Sequence, residues 1–327
     1  MSAAAAVDDE ITVSGTNFLR GGEAWYPRGF SCLGLLAPDW CGDRKSNRAK
    51  AVFSPDTREV WRAKGANLLR WQISQPGVTD GSLDDAARQR YVDSVVAGIQ
   101  TVRAEGWNCI VSCQDQKHGC GPGASTPSPR TTLFWQTLAP YFASDTGVMF
   151  EAFNEPQTNP RQQARWRDGG GKNNLREPRV GHQALLDTIR ATGARNVVIV
   201  DGGGWAKSLE GTTALSDPLN NYAYAVHPYD YDKLGGPEAW DSRYAAAPAS
   251  APIIATEWNF AVKKAGTEAE ALAPTLLSYL QQRNIGVLGH AGDTEAMFAD
   301  FAMWTPTGHG SDSPGSGAVF LSWMSSL

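Results

Sequence analysis

The stretch Val-Met-Phe-Glu-Ala-Phe-Asn-Glu-Pro (148–156) is largely apolar until it stops at a carboxylate and a proline. A short run of this kind predicts a buried strand that delivers an acid, Glu155, to the rim of a sheet. The pattern returns 102 positions later (257 minus 155), where Pro-Ile-Ile-Ala-Thr-Glu-Trp-Asn (252–259) delivers Glu257. Six further apolar runs, at 27–34, 66–73, 108–114, 196–201, 222–227 and 285–290, bring the total to eight. Each is too short for a long helix. Segments with helical spacing separate most of them, at 84–104, 131–143, 177–192, 267–283 and 316–326. Strand–helix alternation requires parallel strands joined by right-handed crossovers, and eight such units close into a (β/α)8 TIM barrel of the α/β class. Within Ala-Lys-Gly-Ala-Asn-Leu-Leu-Arg (63–70), Gly65 ends a helix and a strand begins at once.

The rest of the chain fits one domain. Ile-Thr-Val-Ser-Gly-Thr-Asn-Phe-Leu (11–19), followed by Arg-Gly-Gly, predicts a small β-hairpin ahead of the barrel. Residues 1–10 are expected to be a disordered N-terminal segment or a vector-derived remnant, with 11–327 forming the barrel domain. The Gly- and Asn-rich stretch 168–174 and the Gly/Ser/Pro stretch 308–317 are expected as surface loops. A length of 327 residues with 42% hydrophobic and 19% charged residues allows one large core. The net charge of −5, without a dense basic run, argues against nucleic acid or an anionic membrane as partner. No stretch approaches a membrane span.

Five cysteines permit a Cys32–Cys41 staple and a Cys113–Cys120 staple with Cys109 left over, which suits an oxidising compartment; free buried thiols are the other reading. Cys113, His118 and Cys120 invite a zinc reading too, but no second ligand pair stands at finger-like spacing, so no metal is expected. Asp201-Gly-Gly-Gly and Gly169-Gly-Gly-Lys-Asn lack the Gly-Lys-Ser/Thr ending that cradles phosphate, which removes nucleotide binding.

In a barrel of this type chemistry sits at the C-terminal ends of the strands. Arg70, Gln114, Asn154, Glu155, His227, Tyr229, Glu257 and His290 fall at such ends. Two acids delivered there are what cleavage of a glycosidic bond requires. Twelve tryptophans and nine tyrosines supply flat faces for sugar rings, although a large core uses the same residues.

On Phe-Asn-Glu-Pro (153–156), Ala-Thr-Glu-Trp (255–258), the arginine of the second strand, Tyr-Ala-Val-His-Pro-Tyr (224–229) and the opening Tyr-Pro-Arg-Gly-Phe (26–30), the chain resembles glycoside hydrolase family 5, the retaining (β/α)8 glycosidases that include cellulases and β-mannanases. The resemblance spans nearly the whole sequence. It implies that Glu257 is the nucleophile and Glu155 the acid/base. It further implies that Arg70 keeps Glu257 anionic, Asn154 holds the sugar 2-hydroxyl, His227 borders the acid/base and Tyr229 meets the nucleophile. Trp205, just past the fifth strand, and Trp258 join the expected sugar-binding set. Two positions depart from the family pattern: Gln114 stands where the third strand usually ends in histidine, and His290 where the eighth usually carries a tryptophan. His118 and Trp304 are candidates to fill those roles from loops. The resemblance implies an endo-β-1,4-glucanase-like enzyme, with β-mannanase or an exo-acting glycosidase on a microbial glycan as neighbouring expectations. It implies a β-linked glycan as partner, no cofactor, a monomer, and a secreted or periplasmic location. A sugar-binding pseudoenzyme is the alternative of another class, and transglycosylation keeps the enzyme but changes the acceptor.

Overall fold

The computed structural model describes residues 9–41, 49–50, 54–115, 123–159, 163–248, 251–260, 268–300, 305–306 and 315–327. Three short antiparallel strands come first: β1 (Ile11–Ser14), β2 (Asn17–Arg20) and β3 (Glu23–Trp25). The expected hairpin is therefore a three-stranded sheet. Eight parallel strands then form a closed barrel: β4 (Arg28–Cys32), β5 (Leu68–Ser74), β6 (Asn108–Gln114), β7 (Val148–Glu151), β10 (Val198–Asp201), β11 (Tyr222–Val226), β12 (Ile253–Trp258) and β13 (Gly286–His290). The ring runs in sequence order, and β13 pairs with β4 to close it. All eight lie within or against the apolar runs of the sequence.

Local chemistry explains the alternation with helices. Ser54 caps Pro55–Ala63 by accepting from the Thr57 N–H at 3.2 Å, and Asp84 caps Asp85–Ala104 by accepting from Ala87 at 2.7 Å. Gly65, at φ +93°, takes the left-handed conformation that releases the chain into β5.

Side chains of successive barrel residues face alternately inward and outward. The outward set, including Trp71, Val111 and Phe150, packs against helix side chains such as Trp61 and Trp135 to form the large core. The inward set is split by height. At the N-terminal end it is apolar: Leu68, Ile110, Met149, Ile199, Ala223, Ile254 and Leu288 fill the interior, and Ile11 and Phe18 of the small sheet join the same cluster. The sheet therefore plugs the barrel floor. Its backbone is tied on by Ile11 N–H to Thr146 O (3.0 Å) and Val13 N–H to Asn221 Oδ1 (3.1 Å).

Several expectations are corrected. Residues 168–174, expected as a loop, carry β8 (Gly169–Lys172), paired with β9 (Pro178–Val180). For the same reason the helix expected over 177–192 spans only His182–Ala191. Gly315, placed in a loop, opens the helix Gly315–Met324, and 307–314 lie outside the described residues. Neither expected disulfide involving a strand cysteine forms: Cys32, Cys109 and Cys113 are free thiols buried in β4 and β6. Burial pushes all three thiols up, so they pack as small hydrophobes. Cys41 is disulfide-bonded. Cys120, His118 and Trp304 lie outside the described residues.

Candidate active site

Above the apolar floor, the inward positions of the same strands become polar. Arg70, fully buried, is the hub. Its Nε donates to Glu151 Oε2 (2.6 Å), and its Nη1 to Ser31 Oγ (2.9 Å) and Glu257 Oε1 (2.7 Å). Its Nη2 donates to Ser112 Oγ (3.1 Å) and Asn154 Oδ1 (2.5 Å). The guanidinium fork thus meets residues from five other points on the rim, a geometry that an ammonium group cannot copy.

Glu257 gains two more donors. Gln72 Nε2 reaches Oε1 at 2.6 Å, and the Tyr229 hydroxyl reaches Oε2 at 2.8 Å. Burial alone would raise the pKa of this carboxyl. Charges on His290, His227 and Arg70, together with the Arg70 hydrogen bond, overcome that and hold it well below the usual carboxylate range. Burial moves the His290 imidazole below its ordinary value despite the nearby carboxylate, which weakens its share as the pH rises. Arg70 and His227, whose pKa values are both raised, are the lasting cations beside it.

Glu155 has a different setting. It follows Asn154 in the left-handed region, at φ +54°, a conformation that costs a non-glycine residue free energy and clusters at functional sites. Two contacts hold it there: its N–H donates to Asp201 Oδ2 (2.8 Å), and its Oε1 meets His227 Nδ1 (2.9 Å). The other His227 nitrogen, Nε2, meets Thr256 Oγ1 at 3.0 Å. Burial alone would lower the pKa of His227; Glu257, Glu155 and Asp201 together raise it to about 9. Asp201 is moved the other way, its carboxyl pushed well up by burial and by Glu151. Glu151 remains below the ordinary carboxylate range, because Arg70 outweighs its burial. In this buried cluster the cations Arg70 and His227 face the carboxylates of Glu151 and Glu257, so each buried charge has a partner of opposite sign.

The two rim glutamates converge on one point. A carboxylate oxygen of Glu155 and one of Glu257 lie within 4.8 Å of each other, both that close to a nitrogen of His227. Glu151, Asp201 and His227 form a second such triad. Both sets have ligand types for a cation, but the His227 nitrogens already serve Glu155 and Thr256, and Arg70 already supplies the positive charge. Cys113, part of the zinc reading, points into the outer core with its thiol on Gln75 Oε1 at 3.4 Å.

Trp205 stands on the rim, 42% exposed, in a turn where Gly204, Trp205 and Ala206 all have positive φ. The turn is fastened to the Glu155 loop by Trp205 N–H to Pro156 O (3.1 Å) and Gly204 N–H to Thr158 O (2.8 Å), and to β11 by His227 N–H to Ala206 O (2.7 Å).

This chain matches the family model for cellulase (glycosyl hydrolase family 5) over residues 45–294. It belongs to glycosyl hydrolase family 5. Among curated family relatives, endoglucanase gh5-1 of Neurospora crassa is 27% identical over 191 residues, covering 55% of this chain and 45% of that protein. Endo-beta-1,4-glucanase A of Emericella nidulans is 26% identical over 234 residues, covering 63% and 66%. The chain thus spans about half to two thirds of the length of these relatives. A β-glucanase of Saccharophagus degradans shares the fold at a TM-score of 0.68 and 19% identity, over 99% of this chain and 96% of the other. The catalytic domain of the Streptomyces sp. SirexAA-E mannanase does so at 0.57 and 16%, over 89% and 84%.

Of the residues picked out from this family-5 sequence, Arg70, Asn154, Glu155, His227, Tyr229, Glu257 and His290 come together. His290 Nδ1 sits 3.2 Å from Ser31 Oγ and 3.5 Å from Glu257 Oε2. Gln114 is buried at the inward end of β6. Trp258 does not join them. The pairing of β12 with β13 shifts register between Ala255 and Trp258, which aims Glu257 into the cleft and turns Trp258 outward, fully buried and stacked on Phe320 at 5.7 Å. The sequence reading missed Gln72, Glu151, Asp201, Ser31, Ser112 and Thr256. The available signal was alternation: Gln72 shares the inward face with Arg70, and a carboxylate inside the run 148–154 demands a buried partner.

Proposed function

We propose that this chain is a retaining β-glycosidase that cleaves a β-1,4-linked glucan internally through a glycosyl-enzyme on Glu257. The observation that carries this is the approach of the Glu155 and Glu257 carboxylates to within 4.8 Å, because retaining enzymes hold theirs about 5–5.5 Å apart and inverting ones leave room for a water between them. Glu257, anionic beside Arg70, attacks the anomeric carbon. Glu155 gives its proton to the leaving oxygen, then takes one from the water that releases the sugar, while His227 holds its carboxyl in place. Asn154 spends its Oδ1 on Arg70, which leaves its amide N–H groups for the sugar 2-hydroxyl. Trp205 offers its exposed ring as a stacking wall, and His290 and Gln114 offer polar groups to hydroxyls.

The glucan preference is supported by the two curated relatives described above, an endoglucanase and an endo-beta-1,4-glucanase. A polymeric substrate does not cross a membrane, which favours action outside the cytoplasm. The chemistry needs no organic cofactor and no second subunit, so a monomeric catalytic domain over 11–327 is proposed.

The test is a mass-spectrometric product screen on β-glucans, mannans and xylans, with the wild type and Glu257→Gln side by side. Oligosaccharides from β-1,4-glucan in the wild type alone are expected. Equal products from Glu257→Gln would overturn the mechanism, and products from mannan alone would move the substrate to β-mannan.

A further inference from the structure

Glu257 is held unevenly. Its Oε1 accepts from two donors, Arg70 Nη1 at 2.7 Å and Gln72 Nε2 at 2.6 Å, whereas Oε2 accepts from one among the described residues, the Tyr229 hydroxyl at 2.8 Å, with His290 Nδ1 farther off at 3.5 Å. The two donors to Oε1 occupy successive inward positions of β5, so one strand presents a cation and an amide side by side. A carboxylate oxygen has two lone pairs in the plane. On Oε1 both are taken. On Oε2 one is free. Gln72 is itself buried, 3% exposed, so its amide is shielded from competing water.

We propose that Gln72 is a positioning residue for the nucleophile: with Arg70 it saturates Oε1 and thereby assigns Oε2 as the oxygen that attacks. This rests on the retaining reading above. In the first step a lone pair of Oε2 forms the bond to the anomeric carbon, the bond from that carbon to the glycosidic oxygen breaks, and its electron pair takes the proton of Glu155. Oε1 becomes the ester carbonyl oxygen and keeps both donors. In the second step Glu155 takes a proton from water, the water oxygen bonds to the anomeric carbon, and the electron pair of the ester bond returns to the carboxylate. An amide suits position 72. A second cation would hold the anion too tightly to react, a carboxylate would repel it, and an apolar side chain would let it rotate.

The test uses a 2,4-dinitrophenyl 2-deoxy-2-fluoro-β-cellobioside, which traps the glycosyl-enzyme, with the labelled peptide read by mass spectrometry. Label on Glu257 is expected in the wild type. Gln72→Met is expected to label about ten- to a hundredfold more slowly, the worth of a hydrogen bond to a charged group, while calorimetric affinity for cellotetraose stays within about twofold. A loosened structure would weaken both. In Gln72→Glu the new carboxyl donates only when protonated, so its activity relative to wild type should rise as pH falls from about 7.5 to about 5. Wild-type labelling rates in Gln72→Met, or a Gln72→Glu profile parallel to wild type, would overturn the role of Gln72. An unlabelled wild type would overturn the retaining β-glucanase reading on which this rests. If Gln72→Met fails to fold by circular dichroism, the pH profile of Gln72→Glu decides alone.

Discussion

The lower and upper halves of the barrel interior are built on the same strands and obey opposite rules. On β5, Leu68 belongs to the apolar floor and Arg70, two residues on, to the charged cluster; on β6 the pair is Ile110 and Ser112, and on β7 Met149 and Glu151. The floor needs only volume and water exclusion, so its residues act almost independently. The upper half is one network, in which each group is tolerable because its neighbours are present.

The sharpest way to break that contrast is Arg70→Met. Removing the hub leaves Glu151 buried and unpaired and strips donors from Glu257 and Asn154, so a loss of about 3–5 kcal/mol of stability is expected with loss of activity. Urea unfolding with a kinetic assay checks this, and a urea midpoint near wild type would deny that the upper half depends on one cation. Leu288→Ala in the floor should cost a comparable or smaller amount, about 2–5 kcal/mol, yet leave kcat/KM of the folded fraction within about twofold. An activity loss exceeding that would show the halves coupled.

A pH experiment sharpens the comparison. The folded pKa of His227 is raised from 6.5 to about 9, so the native state retains a proton that the unfolded chain has released in this interval. The stabilisation from this group is complete below pH 6.5 and is lost as pH rises through about 9. Wild-type urea midpoints should therefore fall across that window, and His227→Gln should show a flatter profile. An identical slope would remove the histidine from the charge balance. The two tryptophans near the site give the smallest effects and a direct contrast. Trp205→Ala should raise KM about tenfold through lost stacking and leave Tm unchanged. Trp258→Phe should lower stability by about 1–2 kcal/mol with product pattern unaltered, and a changed pattern would return Trp258 to the cleft.

The same contrast governs what could be read from sequence. The eight strands were legible because each is a local apolar run closed by a turn, and Glu155 and Glu257 because each ends such a run. Contacts between distant positions were not. Gly169–Lys172 became a strand only by pairing with Pro178–Val180, and Trp258 followed Glu257 in sequence while a register shift sent it the other way. Gln72 is separated from Glu257 by 185 positions, and no local pattern joins them. The cysteine pairing failed for a related reason, since nearness in sequence did not show that Cys32 faces a packed core.

The N-terminal plug carries a consequence for assembly. Ile11 is anchored on Thr146, 135 positions away (146 minus 11), and Val13 on Asn221, 208 positions away. Partners so far along the chain close late, because the entropy of joining distant segments is spent before their contacts form. During synthesis from the N-terminus, β1 emerges before either anchor exists. This early segment must therefore wait for more than half the barrel before it can seal the floor.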